Sequence, residues 1–465
     1  MRNLILNTDS YKTSHYVQYP AGTKHVSSYI ESRGGAYDET VFFGLQMFLK
    51  EYLAKPISRE DIDEAEAVCT AHGVPFNRAG WDYILNNLGG FLPVEIEAVP
   101  EGAVVANRNV LVQVVNTDPN CAWITSYVET ALLRAIWYPS TVATVSRACR
   151  NVIERYLAET ADDLSGLPFK LHDFGARGAS SEETAAIGGL AHLVNFKGSD
   201  TLAGIMAARR YYNADMAGYS IPAAEHSTIT SWGRDGEEAA YANMLTQFGG
   251  EGRVLAVVSD SYDIWNAIDN IWGGSLKEQV EKMGGTLVVR PDSGEPVEIV
   301  PEAIERLMAK FGFRTNSQGY KVLPDCVRLI QGDGISVRTI EAILEAMKRR
   351  GLSADNLAFG MGGELLQKVN RDTQKFAMKA SAVFTGGFWQ DVCKDPITDP
   401  GKRSKAGRLA LTCDEDGFKT VRRDAVSPTE NCLIPVFRDG KLLVEWDFET
   451  IRARAAGAEL NREAA

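Results

Sequence analysis

The run Lys170-Leu171-His172-Asp173-Phe174-Gly175-Ala176-Arg177-Gly178-Ala179-Ser180-Ser181 places a carboxylate, an aromatic ring and a guanidinium close together. A flat ring, an oxyanion-matching cation and an acid suit a planar ring attached to phosphates. Phe169–Leu171 reads as the end of a short strand, and Gly175 and Gly178 as a tight turn. Ser180 or Ser181 then caps a helix whose first turn carries Glu182 and Glu183. A strand-to-helix turn of this kind puts side chains at the mouth of an α/β sheet or barrel, where ligands bind. Taken alone, the run also fits a Gly-rich turn with a structural Asp–Arg pair.

Comparable turns recur downstream. Short apolar runs at 169–171, 193–196, 219–223, 254–259, 286–290, 327–331 and 357–360 each lead into a polar turn. Continuous apolarity predicts parallel strands covered on both faces. Segments 301–311 and 336–349 read as helical crossovers. About seven such units come near the eight of a β/α barrel. No Gly-x-Gly-x-x-Gly follows the first strand, which counts against an open dinucleotide-binding sheet.

The strand ends bring together Asp173, Phe174 and Arg177; Lys197 and Asp200; Glu225 and His226; Asp260; Arg290 and Asp292; Gly332, Asp333 and Gly334; and Gly360, Gly362 and Gly363. Gly332–Gly334 and Gly360–Gly363 can offer backbone N–H groups to phosphate. Asp292 or Asp333 suits ribose hydroxyls, and Arg177 and Arg290 suit phosphate or pyrophosphate. Carboxylates such as Asp260 can hold Mg²⁺ through water when a substrate supplies phosphates. His226, beside Glu225, is a candidate acid/base or phosphate-accepting nucleophile.

The remaining elements frame this ring. The chain has 465 residues, enough for two or three domains, and its 45% hydrophobic content is that of a globular protein. A net charge of -12 disfavours broad binding to nucleic acid or anionic membrane. The seven cysteines show no metal-ligand spacing, no run reaches a membrane span, and Met1–Leu6 is too short for a leader. The expectation is a cytoplasmic protein with reduced thiols. Before residue 160, Ser58 with Asp61 marks a helix start, Leu92–Val99 and Val110–Val115 read as strands, and Thr141–Leu157 as a helix. Asn7–Lys12 reads as a turn with a helix cap. Lys394–Lys405 is a basic, Pro-broken loop, and Cys432–Phe448 holds a hairpin around Asp439-Gly440 that completes the first domain's sheet.

Asn7–Tyr11, Lys170–Ser181, Asn195–Asp200, Pro222–Thr228, Ser259–Asp263, Arg290–Gly294, Gln331–Gly334 and Lys394–Arg408 together resemble the nicotinamide phosphoribosyltransferase family, in order and over the whole chain. The resemblance implies an α/β protein: an irregular β/α barrel at 161–371, with a second mixed α+β domain built from both chain ends, 1–160 plus 372–465. It implies formation of nicotinamide mononucleotide and pyrophosphate in NAD biosynthesis, with Mg²⁺, ATP as co-substrate and a homodimer with shared sites. Nicotinate phosphoribosyltransferase chemistry is the alternative.

Carried over by motif, Phe174 and the partner subunit's Tyr11 would sandwich the pyridine, and Asp200 would bind the carboxamide. Arg177 would help hold base and phosphate. Arg290, Asp292, Gly332, Asp333, Gly362, Gly363 and Arg371 would bind the ribose phosphate. His226 resembles the histidine that ATP phosphorylates, with Asp260 and Asp292 near it and near Mg²⁺. Arg33, Lys394 and Lys402 resemble partner-subunit cations that hold pyrophosphate and nucleotide phosphates. The chain departs from the family pattern at Glu364 (usually Gly), Phe169 (usually Tyr) and Ala176 (usually a larger aromatic).

Overall fold

The computed structural model describes residues 3–415 and 417–457, the Pro400 side chain apart, so the leader reading at Met1 and Arg2 and the outermost domain ends lie outside the described residues. The chain divides into two compact units. An outer unit comprises Met1–Thr144, Ala208–Ala214 and Asn370–Ala465, and a barrel unit Val145–Ala207 and Asp215–Val369. The family resemblance implies a boundary at 160/161. Contacts within the barrel unit draw 145–160 into it, among them Cys149 on Met361, Tyr156 to Glu345 and the Ala354 N–H to Thr160.

The outer unit is a seven-stranded sheet, antiparallel at every pairing, in the order 388–391, 376–385, 25–32, 110–116, 94–98, 434–438, 441–442. The hairpin expected at Asp439-Gly440 forms its edge and pairs Ile434–Arg438 with Val94–Ala98. Val110–Asn116 is buried along nearly its whole length, and Ile30, Ile96, Val112 and Val114 enter one core with Trp81, Phe376 and Phe437. Each fully buried apolar side chain of this size contributes about 1.5–3 kcal/mol. Ser58 and Asp61 form the capping box that starts helix Arg59–His72, and Gly73 ends it with φ +85°. Asn7–Lys12 differs from its expectation: Ser10–Val17 is a 3-10 helix, and Asp9 before it makes no side-chain cap.

The barrel unit contains a six-stranded parallel sheet in the order Gly198–Ser199, Leu171–Asp173, Leu357–Met361, Val327–Gln331, Thr286–Arg290, Val254–Val258. Its two edges meet through residues 219–223. Tyr219 bridges Gly198 in parallel, and Ala223 bridges Ala256. The result is an irregular β/α barrel of seven positions. Ser336 caps helix Val337–Arg349, which buries Ile340, Ile343, Leu344 and Met347. The stretch 193–196 is not a strand: helix Glu182–His192 ends there, its buried apolar residues form a turn, and pairing begins at Gly198. Phe169 likewise closes a 3-10 turn, and the strand starts at Leu171.

Candidate active site

Strand Leu171–Asp173 ends at the C-terminal mouth of the barrel and delivers Phe174 there. The Phe174 N–H donates to Met361 O at 3.0 Å, which ties the turn to the neighbouring strand. Ala256, Val288 and Ile330 form a small cluster with Ile221, Ala358 and the Phe174 ring. A β-carbon on Gly332 would stand 3.4 Å from the ring and 3.6 Å from Asp292 Oδ1, in ordinary contact with both, so position 332 lies directly between the ring and that carboxylate. The Arg290 guanidinium lies 6.0 Å from the ring centroid. Gly175 is required for a different reason than the expected backbone freedom. Its φ is -89°, but its β-carbon would meet Leu366 at 2.7 Å, and that of Gly178 would meet Gln367 at 2.8 Å.

Asp173 itself is fully buried. One oxygen accepts from the Gly175 N–H at 2.7 Å, and the backbone carbonyl accepts from the Asp200 N–H at 3.0 Å. Its other oxygen has no partner at hydrogen-bond geometry. Burial pushes the carboxyl up to about 6, against the pull of the Thr201 hydroxyl and the Gly175 N–H, while the nearby Asp200 charge adds to the rise. Burial also pushes the His172 imidazole down, while the Asp200 charge and the Phe169 backbone oppose that shift. The Asp200 carboxylate accepts a hydrogen bond from the Ser220 hydroxyl.

Across the mouth, Glu225 caps the short helix His226–Thr230. Ser261 Oγ holds His226 Nδ1 at 3.0 Å and so aims Nε2 at two carboxylates, Asp292 Oδ2 at 3.4 Å and Asp260 Oδ1 at 3.9 Å. Asp260 accepts from the Asp292 N–H at 2.8 Å and the Ser293 hydroxyl at 2.6 Å, while its buried Oδ1 accepts no hydrogen bond and has only the His226 imidazole at 3.9 Å near it. Arg290 reaches Asp292 through Nη2 at 3.1 Å and Nε at 3.4 Å. Behind this cluster Trp272 Nε1 donates to Ser259 Oγ at 3.0 Å, and Tyr241 stacks on Trp272 at 4.5 Å. The sequence reading missed Ser261, Ser293 and this stacked pair; the only signal for the two serines was that each directly follows an acid, Asp260 and Asp292.

The remaining predicted mouth residues take simpler positions. Arg177 is exposed on the 3-10 turn Ala176–Gly178. Asp333 is exposed, its carbonyl accepting from Gln331 Nε2, and Gly334 takes φ +68°. Gly362 and Gly363 open the short helix Gly363–Leu366. Glu364 is paired with Lys368 at 2.6 Å, so the departure from glycine is neutralised locally. Phe169 is exposed, 6.2 Å from the Tyr219 ring, and Ala176 is exposed.

The outer unit carries its own candidates. Tyr11 is 59% exposed, with Lys12 beneath its ring at 5.2 Å. Glu31, 3% exposed, binds Arg33 Nε at 3.0 Å and pairs with Lys405 Nζ, while Arg33 Nη2 is buried without a partner. Lys379 is a further cation the sequence reading passed over, since it lies within an apolar strand. Burial lowers its pKa, and Arg33, Lys394 and Arg371 push in the same direction while Glu129 opposes. Arg371 pairs with Asp372 and Lys402 with Asp399, both exposed. Lys394 is exposed, and its backbone and Ser404 close the basic loop at 2.8 and 2.9 Å.

Among the described residues no three His, Cys, Asp or Glu side chains gather closely enough to hold a metal by themselves, and no helix is long and apolar enough to cross a membrane. Residues 169–429 match the model of the nicotinate phosphoribosyltransferase family, and residues 3–96 that of the nicotinamide phosphoribosyltransferase N-terminal domain. The chain is 55% identical to a nicotinamide phosphoribosyltransferase of Xanthomonas campestris pv. campestris, covering 98% of this chain and 99% of the relative. It is 35% identical to that of Mycoplasma pneumoniae, covering 87% and 95%. In fold it is similar to a nicotinate-nucleotide pyrophosphorylase from Pyrococcus furiosus (TM-score 0.63, 16% identity, 98% and 95% covered). It is also similar to human nicotinic acid phosphoribosyltransferase (TM-score 0.58, 17% identity, 97% and 92% covered).

Proposed function

Because this chain belongs to the nicotinamide phosphoribosyltransferase family, we propose that it joins nicotinamide to phosphoribosyl pyrophosphate, yielding nicotinamide mononucleotide and pyrophosphate as a step of NAD biosynthesis. The observation that carries the choice of base is Asp200. Its carboxylate stands at the mouth, its backbone bonded to the residue that precedes Phe174. A carboxylate accepts from a carboxamide N–H₂ and repels the carboxylate of nicotinate. Phe174 supplies one face for the pyridine ring, and Tyr11 of a second copy of the chain supplies the other.

The ring nitrogen of nicotinamide is a neutral nucleophile, so attack on the anomeric carbon needs no general base. Arg290, Arg177 and the N–H groups around Gly332 and Gly362 hold the phosphates and ribose and align the leaving group. Asp292 and Asp333 take the ribose hydroxyls. Arg371 joins the groups on the ribose phosphate, while the partner's Arg33, Lys394 and Lys402, with Lys379 near them, neutralise the departing pyrophosphate. Asp260 and Asp292 fit Mg²⁺, because Asp260 Oδ1 is a buried anionic oxygen without a donor and a phosphate-bearing substrate completes such a site. Bound there, Mg²⁺ would neutralise charge on the pyrophosphate. His226, with Nε2 facing the same carboxylates, is the group that takes a phosphoryl from ATP and adds charge beside the Mg²⁺ site.

The test is product formation from phosphoribosyl pyrophosphate and Mg²⁺ with nicotinamide and nicotinate in parallel, alongside Asp200→Asn. Mononucleotide from nicotinamide alone, with that preference relaxed in the variant, is the expected result. Turnover of nicotinate by the wild type overturns the choice of base.

A further inference from the structure

We infer that Ser220 is a positioning residue for base recognition, holding the Asp200 carboxylate in the orientation that accepts the carboxamide. This rests on the function proposed above and deepens it.

Asp200 is exposed, and a carboxylate at such a place ordinarily samples several rotamers. Its backbone is fixed from one side, by the bond from its N–H to Asp173 O at 3.0 Å. Its side chain is fixed from the other. Among the described residues only the Ser220 hydroxyl hydrogen-bonds the carboxylate, and it does so at Oδ1. Ser220 is itself held by the ladder that closes the barrel, where Tyr219 N donates to Lys197 O at 2.7 Å and Ser199 N to Tyr219 O at 3.0 Å. The hydroxyl therefore stands on rigid backbone and spends its single proton on one carboxylate oxygen. The second oxygen is left to accept from an incoming N–H₂.

Two consequences follow. Ordering the carboxylate before binding removes an entropic cost from base capture, so its loss weakens nicotinamide binding ahead of any chemical step. The hydroxyl also satisfies one lone pair of the carboxylate, which keeps the group an acceptor for the amide. The Ser220–Asp200 pair thus acts as one specificity unit built from two strand ends separated by a helix.

The test compares Ser220→Ala and Ser220→Thr with wild type and with Asp200→Asn. Ser220→Ala is expected to raise the KM for nicotinamide about tenfold, leaving kcat and the KM for phosphoribosyl pyrophosphate within about twofold. Ser220→Thr, which keeps the hydroxyl, restores the nicotinamide KM. In an Asp200→Asn background Ser220→Ala adds little, because the carboxylate it positions is gone. An unchanged nicotinamide KM in Ser220→Ala, an equal rise for both substrates, or full additivity with Asp200→Asn overturns the inference. A wild-type chain inert toward nicotinamide overturns the proposed function and this inference together. Wild-type turnover with an unaffected Ser220→Ala variant overturns the inference alone.

Discussion

Phe174 lies so close to Gly360 that a β-carbon on Gly360 would overlap the ring. Phe174 follows strand Leu171–Asp173, which pairs in parallel with Leu357–Met361, the strand that holds Gly360, and the absent side chain is what lets the ring lie across the barrel mouth. Gly360→Ala is expected to displace the ring, raise the nicotinamide KM at least about tenfold and lower stability by about 1–3 kcal/mol. Adding Phe174→Leu should recover much of the lost stability without recovering the KM. Steady-state kinetics and urea unfolding of both variants check this, and full stability in Gly360→Ala would contradict the packing argument.

His226 is expected to matter through ATP. With Ser261 holding Nδ1, His226→Ala removes the only imidazole facing Asp260 and Asp292 among the described residues. The ratio of rates with and without ATP should fall to about one in that variant. Acid-labile, base-stable labelling from γ-labelled ATP should disappear with it. Persistent ATP stimulation would remove His226 from the role.

Asp260 offers a buried oxygen without a donor beside His226. Asp260→Asn keeps an acceptor for the Asp292 N–H and the Ser293 hydroxyl but removes the charge. The Mg²⁺ concentration for half-maximal rate is expected to rise about 10–100-fold. Titration of activity with Mg²⁺ after chelator treatment measures it, and an unshifted midpoint would place the cation elsewhere.

The buried Asp173 carboxyl, at about 6 against an ordinary 3.8, holds its proton more tightly in the fold than in the unfolded chain. The native state therefore binds the extra proton between those two values. The stability it brings is complete below about pH 4 and is lost as pH rises through about 6, on the order of 3 kcal/mol in all. Asp173→Asn is neutral throughout. Its unfolding free energy should gain on that of wild type from about pH 4 to 6.5 and then run parallel. A difference that does not change with pH would refute the assignment.

Arg290 binds Asp292 through two nitrogens and faces Phe174, a geometry that depends on a planar fork. Arg290→Lys keeps the charge and loses the fork, so the KM for phosphoribosyl pyrophosphate is expected to rise roughly tenfold or more. Equal kinetics in the lysine variant would show that charge alone suffices.

Much of this protein was legible before folding. Strands Thr286–Arg290 and Val327–Gln331 coincide with their apolar runs, since parallel strands are covered on both faces and hydrophobic continuity is a local property. Ser58 and Ser181 cap the helices their spacing predicted, because a cap bonds within its own first turn. The pairing of Glu364 with Lys368 is likewise an i,i+4 matter. Tertiary structure alone decided the rest. The run 193–196 is as apolar as a strand, yet becomes a buried turn, because burial does not distinguish strand from loop when the core covers both. That Ser220 meets Asp200, that Ser261 aims His226, and that Phe174 replaces a side chain at Gly360 all depend on the order of strands around the barrel. Sheet order is set by long-range pairing, and no local period in the sequence encodes which strand ends will become neighbours.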